Sequence, residues 1–309
     1  MALAQIDIPP FFLNHFVETD VCLCDLDSCF SPCKECKELL GSREILGFAR
    51  STTLFDPFRE DEPLDNMPLW KEDLDKELGL VFKPAFLACC SAEETASRIL
   101  RISGDLSKEN MRILIAEIFL HWSRFQFRIP NSNEFAMKIA IILERLATGI
   151  GFHQPIARLG FQDELSSLCV NRFQLAWHRL VYNAIDPQAS RSRRRLFFSA
   201  MSILTMISHL FRVHIVPQQT ALNLLEFLSE FMPKRDAVII TYAFLLQLGF
   251  RIYSDDGIGI IQDLVRRLDE NLRNRPPYDP IHQLAYPLKT IVNEWHQTRF
   301  ALNRVGSQR

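Results

Sequence analysis

Two groups of side chains in this chain have types and spacings that could do chemistry. The first is Cys22-x-Cys24-x4-Cys29-x3-Cys33-x2-Cys36, which gathers five of the eight cysteines into one short stretch. Thiolates are strong zinc ligands, and Cys24, Cys29, Cys33 and Cys36 could supply a tetrahedral set, with His15 as a spare donor. Only Cys33 and Cys36 have knuckle spacing, so free thiols in a leader segment are the competing reading. A disulfide framework is the weaker interpretation, because the N-terminus lacks the basic start and apolar centre of a secretory signal. The second group is Arg191, Arg193, Arg194 and Arg195, set between the polar Gln188-Ala-Ser190 and an apolar run. Arginines at a helix start oppose the helix dipole at a cost of roughly a few tenths of a kcal/mol, which suits an external anion. RNA phosphates or an acidic protein surface would satisfy them, and RNA binding would then be salt-sensitive. Pairing with neighbouring acids or plain solvation is the alternative, and Ser190 and Ser192 are candidate modification sites.

A third segment, Leu74-Asp-Lys-Glu-Leu-Gly-Leu-Val-Phe-Lys-Pro84, has a hydrophobic–small–Phe-x-Pro cadence. It resembles the short linear motif that inserts a phenylalanine into poly(A)-binding protein, with Leu74 one residue out of register. Phe82 would be the anchor and Pro84 the stiffener.

Catalytic patterns are missing. There is no H-E-x-x-H and no G-x-S-x-G, and Asp256-Gly-Ile-Gly259 is too short for a phosphate loop. His121, His178, His209 and His214 lie in apolar helical stretches and are expected to be packing residues, as is the vicinal pair Cys89-Cys90 to be simply buried. We therefore expect no enzyme, and no cofactor apart from a zinc ion on the cysteine cluster.

The bulk composition agrees with a packed protein. Of 309 residues 48% are hydrophobic and 23% charged, enough apolar material for a sizeable core. The net charge of −2 hides an asymmetry: residues 1–90 hold 8 Lys/Arg against 17 Asp/Glu, whereas residues 91–309 hold 27 against 20. No apolar run reaches the roughly 18 to 20 residues of a membrane helix, so a cytosolic or nuclear protein without membrane contact is expected.

Residues 1–90, rich in acids and interrupted by Pro57, Pro63 and Pro68, suit an extended or irregular leader. From residue 91 the pattern becomes helical. Ser91-Ala-Glu-Glu94 has capping-box form, and Ser107 is a plausible N-cap for a helix with Met111, Leu114, Ile115, Ile118, Phe119, Trp122 and Phe125 on one face. After a turn at Pro130–Asn133 comes a stripe of Phe135, Ile139, Ile142 and Leu146, with Gly149 and Gly151 as its expected end. Leu165, Leu168, Cys169, Phe173, Trp177 and Leu180 make the next face, and a break at Asp186-Pro187 precedes an apolar helix from Leu196 to Phe211. Pro217 suits a helix start, Pro233 and Gly249 suit stops, and later stripes end at Pro276-Pro277 and carry Trp295. Nine or ten helices with short connections must mostly be antiparallel neighbours. The expected fold over 91–309 is all-α, a HEAT-like stack of about five helix pairs, each pair burying its second face against the next.

Four stretches carry a family likeness. They are Ser97–Leu100 leading into Asp105-Leu-Ser-Lys-Glu109; Gly151-Phe-His-Gln-Pro-Ile-Ala-Arg-Leu159; Leu168-Cys-Val-Asn-Arg-Phe-Gln174; and Arg193–Leu204 ending in His209-Leu-Phe211. In order and spacing they resemble the middle domain of eukaryotic initiation factor 4G, with Ile156, Phe173 and Ala200 or Ser199 standing where that family usually has Tyr, Cys and Gly. The tail beyond Gly249 is similar to the poly(A)-binding-protein-interacting and cap-binding-complex-dependent members. The resemblance implies docking onto a DEAD-box helicase of the initiation factor 4A type, and in some members onto RNA or poly(A)-binding protein. A helical RNA-binding adaptor with no link to translation, or a zinc-binding protein centred on the cysteines, are the alternative functions.

Overall fold

The helix that opens at Ala92 starts because Ser91 can satisfy an orphan amide. The Glu94 amide donates to Ser91 Oγ at 3.1 Å, as the cap pattern requires. Ser107 does the same for the next helix, accepting from the Asn110 amide at 3.2 Å. In the computed structural model the described residues are 70–83, 89–103, 107–125, 132–182, 190–232 and 234–306. Among them are ten α-helices and no strand: α1 Trp70–Val81, α2 Ala92–Ser103, α3 Lys108–Phe125, α4 Ser132–His153, α5 Pro155–Tyr182, α6 Ser190–Arg212, α7 Gln218–Ser229, α8 Arg235–Leu248, α9 Asp255–Arg273 and α10 Ile281–Gly306. A 3₁₀ turn, Phe250–Ile252, links α8 to α9. The all-helical class is as expected.

Residues Asp73–Arg309 make one compact unit. Of the other unit, Met1–Glu72, the described residues are Trp70, Lys71 and Glu72. The packed part thus begins before residue 91. Helix α1 puts Leu74, Leu78 and Val81, three and four apart, fully inside the core, and Phe82 follows them there.

The helices pack in pairs with a regular order. Helix α4 touches α5 and α6, α6 touches α7 and α8, and α9 touches α10, while α2 lies on α4, α3 on α5, α7 on α9 and α8 on α10. From α4 onward each helix so covers a neighbour along the chain and one two steps away, whereas α2 and α3 lie mainly on α4 and α5. That arrangement is how a stripe wider than one contact becomes buried. Aromatic rings join α5 to the α7 region: Phe173 meets Phe227 edge-on at 6.3 Å, and Trp177 meets Phe231 at 5.5 Å. Such pairs contribute about 0.5–1.5 kcal/mol each beyond the area they bury.

Two expected helix ends moved. Gly149 and Gly151 do not stop α4, which runs on to His153. A Cβ on Gly149 would lie 2.6 Å from Leu100 Cδ1, so this glycine lets α2 and α4 approach. The break falls instead at Gln154, because Pro155 disfavours helical backbone in the residue before it and suits the first position of α5. Ser132 also starts α4 earlier than a turn to Asn133 would allow. Gly249 ends α8 as expected. Its φ of 72° and ψ of −175° lie in a region open essentially to glycine, and its amide donates to the Leu245 carbonyl at 2.9 Å. Asp256-Gly-Ile-Gly259 is the first turn of α9 rather than a loop, and the missing side chain at Gly257 admits the Ile252 carbonyl oxygen.

Candidate functional site

Helix α3 carries Glu117 and His121 one turn apart on the same face, the i, i+4 relation that brings two side chains to one point. Helix α1 brings Asp75 to that point. His121 Nε2 lies 2.8 Å from Asp75 Oδ1. A donor atom from each of Asp75, Glu117 and His121 lies within 4.8 Å of the other two. The seam is dry on one side and open on the other: the His121 side chain is 5% exposed and that of Asp75 53%. Glu117 is buried. The His121 ring stands edge-on to Phe82 at 6.3 Å, and Phe82 edge-on to Phe135 at 6.5 Å. His121 Nδ1 is buried with no hydrogen-bond partner. Buried imidazole nitrogens are normally satisfied, and His282 Nε2 is a second one here that is not. The sequence reading of His121 as a packing residue is half of the truth: the ring is packed, and its Nε2 meets the Asp75 carboxylate with Glu117 close by. The Glu117-x-x-x-His121 spacing was the available signal, but Asp75 reaches it only through the fold.

The same packing corrects the expectation for Phe82. A linear-motif anchor must be free to enter a partner, and Phe82 is fully buried, its amide hydrogen-bonded to the Leu78 carbonyl at 3.0 Å. Leu74, the other end of that cadence, is equally buried. Pro84 lies outside the described residues, as do Cys24, Cys29, Cys33, Cys36 and His15. Arg191, Arg193, Arg194 and Arg195 fall in the first turns of α6 by backbone; their side chains are outside the described residues.

Two surface features accompany the seam. At the α4–α5 joint Phe152 and Ile156 are each 86% exposed and Leu159 61%. Ile156 also lines a groove of about 640 Å³, with Met111, Gln154, Pro155, Gly160 and Glu164. Its rim is charged: Arg112 holds Glu164 at 3.0 Å, and Asp163 is exposed. At the far end of α6, Arg212 is half-buried near Arg251. Burial first, and then the Arg251 charge, lower its pKa. No carboxylate pairs with either guanidinium among the described residues.

The described cysteines offer little chemistry. Cys169 is buried in α5, which pushes its thiol up to about 12 and leaves it protonated. Cys89 is exposed and Cys90 half-buried, so the pair is less enclosed than expected. No helix among the described residues is long and apolar enough to cross a membrane. Comparison of the chain with protein-family models, curated proteins and solved structures found no match.

Proposed function

We propose that this chain is a non-enzymatic scaffold of the initiation-factor-4G middle-domain kind, a HEAT-like array that holds a DEAD-box helicase of the initiation factor 4A type. The observation that carries this reading is the α4–α5 joint. Phe152, Ile156 and Leu159 stand in solvent at a tight turn between two long, well-packed helices. Clustered exposed apolar side chains on a rigid support are what a partner surface covers. These three residues belong to Gly151–Leu159, one of the four stretches that carry the family likeness. The groove beside them, with Asp163 and the Arg112–Glu164 pair at its rim, suits an apolar anchor flanked by polar contacts. Poly(A)-binding protein belongs to the same proposal as a further partner, through a segment other than Phe82.

The test uses the full chain, because α1 is part of the packed unit. Purified protein is titrated with a helicase of that type, and binding and ATPase rate are measured. Double replacement of Phe152 and Ile156 by Asp should weaken binding by at least about 30-fold, the loss of one interface hot spot. No binding by the natural chain, or equal binding by the variant, overturns the reading.

RNA is a second ligand, favoured by Arg212 and Arg251, whose like charges act on each other and which no carboxylate pairs among the described residues. Arg193 and Arg194 at the start of α6 belong to the same expectation. Replacement of Arg193, Arg194 and Arg251 by Glu should abolish RNA binding and its salt dependence together. Retained affinity with an unchanged salt slope would remove RNA from the function.

A further inference from the structure

Resting on the reading of RNA as a ligand, we infer that a single RNA strand lies across the end of the packed helices at which α6, α8 and α10 begin. Its phosphates meet arginine and lysine there, and its bases stack on exposed rings. The direction of the helices follows from their contacts. Gln247, near the end of α8, donates to Thr205 in the second half of α6 at 3.1 Å. Tyr253, just past α8, meets His296 in the second half of α10 at 3.2 Å. Helices α6 and α8 pack together, as do α8 and α10, so the three run parallel and their starts share the opposite end. Short connections make α7 and α9 run the other way and finish at that end. Helix α5 finishes there too, since its Trp177 meets Phe231, which follows α7, at 5.5 Å.

This end is basic. Arg193 and Arg194 lie in the first turns of α6, Lys234 is the residue before α8, and Arg273 is the last residue of α9. Arg273 lines a groove of about 400 Å³ with His282 and Lys289 of α10. Two acids beside it are already engaged, Asp269 by Lys289 and Asp279 by Arg275. A cation at a helix start opposes the dipole, whereas a phosphate is favoured by both. Glu230 and Asp236 also lie at this end, so the rings must carry part of the affinity. Tyr278, in the turn before α10, is 86% exposed, and Tyr286 is 70% exposed. The turn is held: the Asp279 amide donates to the Pro276 carbonyl, and Asp279 Oδ1 accepts from the Ile281 amide, each at 3.0 Å. Next to Lys234, which stands 5.5 Å from the Phe231 ring centre, the rings of His178, Phe227 and Phe231 form one cluster. Cations interleaved with rings suit a single strand, because phosphates meet the charges and any base can stack. A duplex hides its bases and fits less well.

The test titrates the full chain into a labelled oligouridine strand and follows anisotropy at several salt concentrations. Tyr278→Ala combined with Tyr286→Ala should weaken binding by about 20-fold or more, the low end for two base stacks, and leave the salt slope unchanged. Both rings are exposed, so the variant should fold, which its far-ultraviolet circular dichroism checks. Lys234→Glu combined with Arg273→Glu should weaken binding and flatten the slope. Duplex RNA should bind the natural chain less tightly than the single strand. Unchanged affinity in the tyrosine variant, equal affinity for duplex, or tighter binding of an oligothymidine DNA strand overturns the placement. If Arg193→Glu with Arg194→Glu still loses RNA in that case, RNA remains a ligand held elsewhere. No binding of any strand by the natural chain overturns both readings.

Discussion

The seam between α1 and α3 and the outer face of α9 use the same kinds of ionisable side chain to opposite ends. On α9, Asp263, Arg266, Arg267 and Glu270 stand in water, three and four residues apart, with Arg266 at 2.6 Å from Asp263 and 2.9 Å from Glu270. Water can replace any partner there, so the network decorates the helix without deciding its position. In the seam, Glu117 and His121 are buried, His121 lies edge-on to Phe82, and the unsatisfied His121 Nδ1 costs free energy. The lesson is that charge on a helix face says little until its solvent is known. On α9 the charges mark an outside. In the seam they mark an inside, where His121 meets Asp75 at 2.8 Å against the Phe82 ring.

The largest effect that separates the two regions is expected from Phe82→Ala. Removing a fully buried ring should cost about 3–5 kcal/mol in denaturant unfolding. A loss below about 1 kcal/mol would mean that α1 is not docked as described and that Phe82 is available to partners after all. Next come two glycines of α9 that sit on different faces of one helix. Gly257→Ala would set a Cβ 2.0 Å from the Ile252 carbonyl oxygen, forcing backbone apart at a cost of about 1–3 kcal/mol. Gly259→Ala meets nothing within 4 Å, and should stabilise the protein by up to about 1 kcal/mol by restricting the unfolded chain. Equal thermal shifts from the two variants would show that α9 does not present the faces assigned to it.

The smallest effect belongs to the ion network itself. Hydrogen bonds from Arg266 hold the Asp263 carboxyl below its ordinary range, aided by the Arg266 charge and by Arg267. A carboxyl with a lowered folded-state value releases its proton more readily in the folded chain. Its contribution is therefore complete above the ordinary aspartate range, about pH 4, and fades as pH falls through the lowered value. Arg266→Ala should shift the denaturation midpoint slightly at neutral pH in low salt. The difference should vanish at acid pH and in 1 M salt, where charges are screened within about 3 Å. A difference that persists in both conditions would mean that Arg266 packs rather than pairs.

Much of the helical order was legible in the residues. Ser91 and Ser107 announce helix starts because their hydroxyls meet orphan amides, and the apolar stripe from Met111 to Trp122 is the face that became buried. Gly249 was readable as a stop for a local reason, its positive φ. Gly149 and Gly151 misled because their role is not local. In a sequence, a glycine that ends a helix looks the same as one that lets another helix come close, and only the position of Leu100 tells them apart. Phe82 misled in a related way. A Phe-x-Pro cadence reads as a free motif until α1 places it among His121 and Phe135.

What the sequence alone determined is everything set within a turn or two of chain: helical periodicity, the caps, the break at Pro155, and the pairing of Glu117 with His121 on one face. What only the tertiary structure decided is which of those faces meet. Asp75 and His121 are far apart along the chain yet 2.8 Å apart in space, and neither residue type nor spacing encodes that distance. The reason is physical. Hydrogen bonds and side-chain sterics act over a few residues and are written locally, whereas burial is a property of surfaces that come together only when whole helices pack.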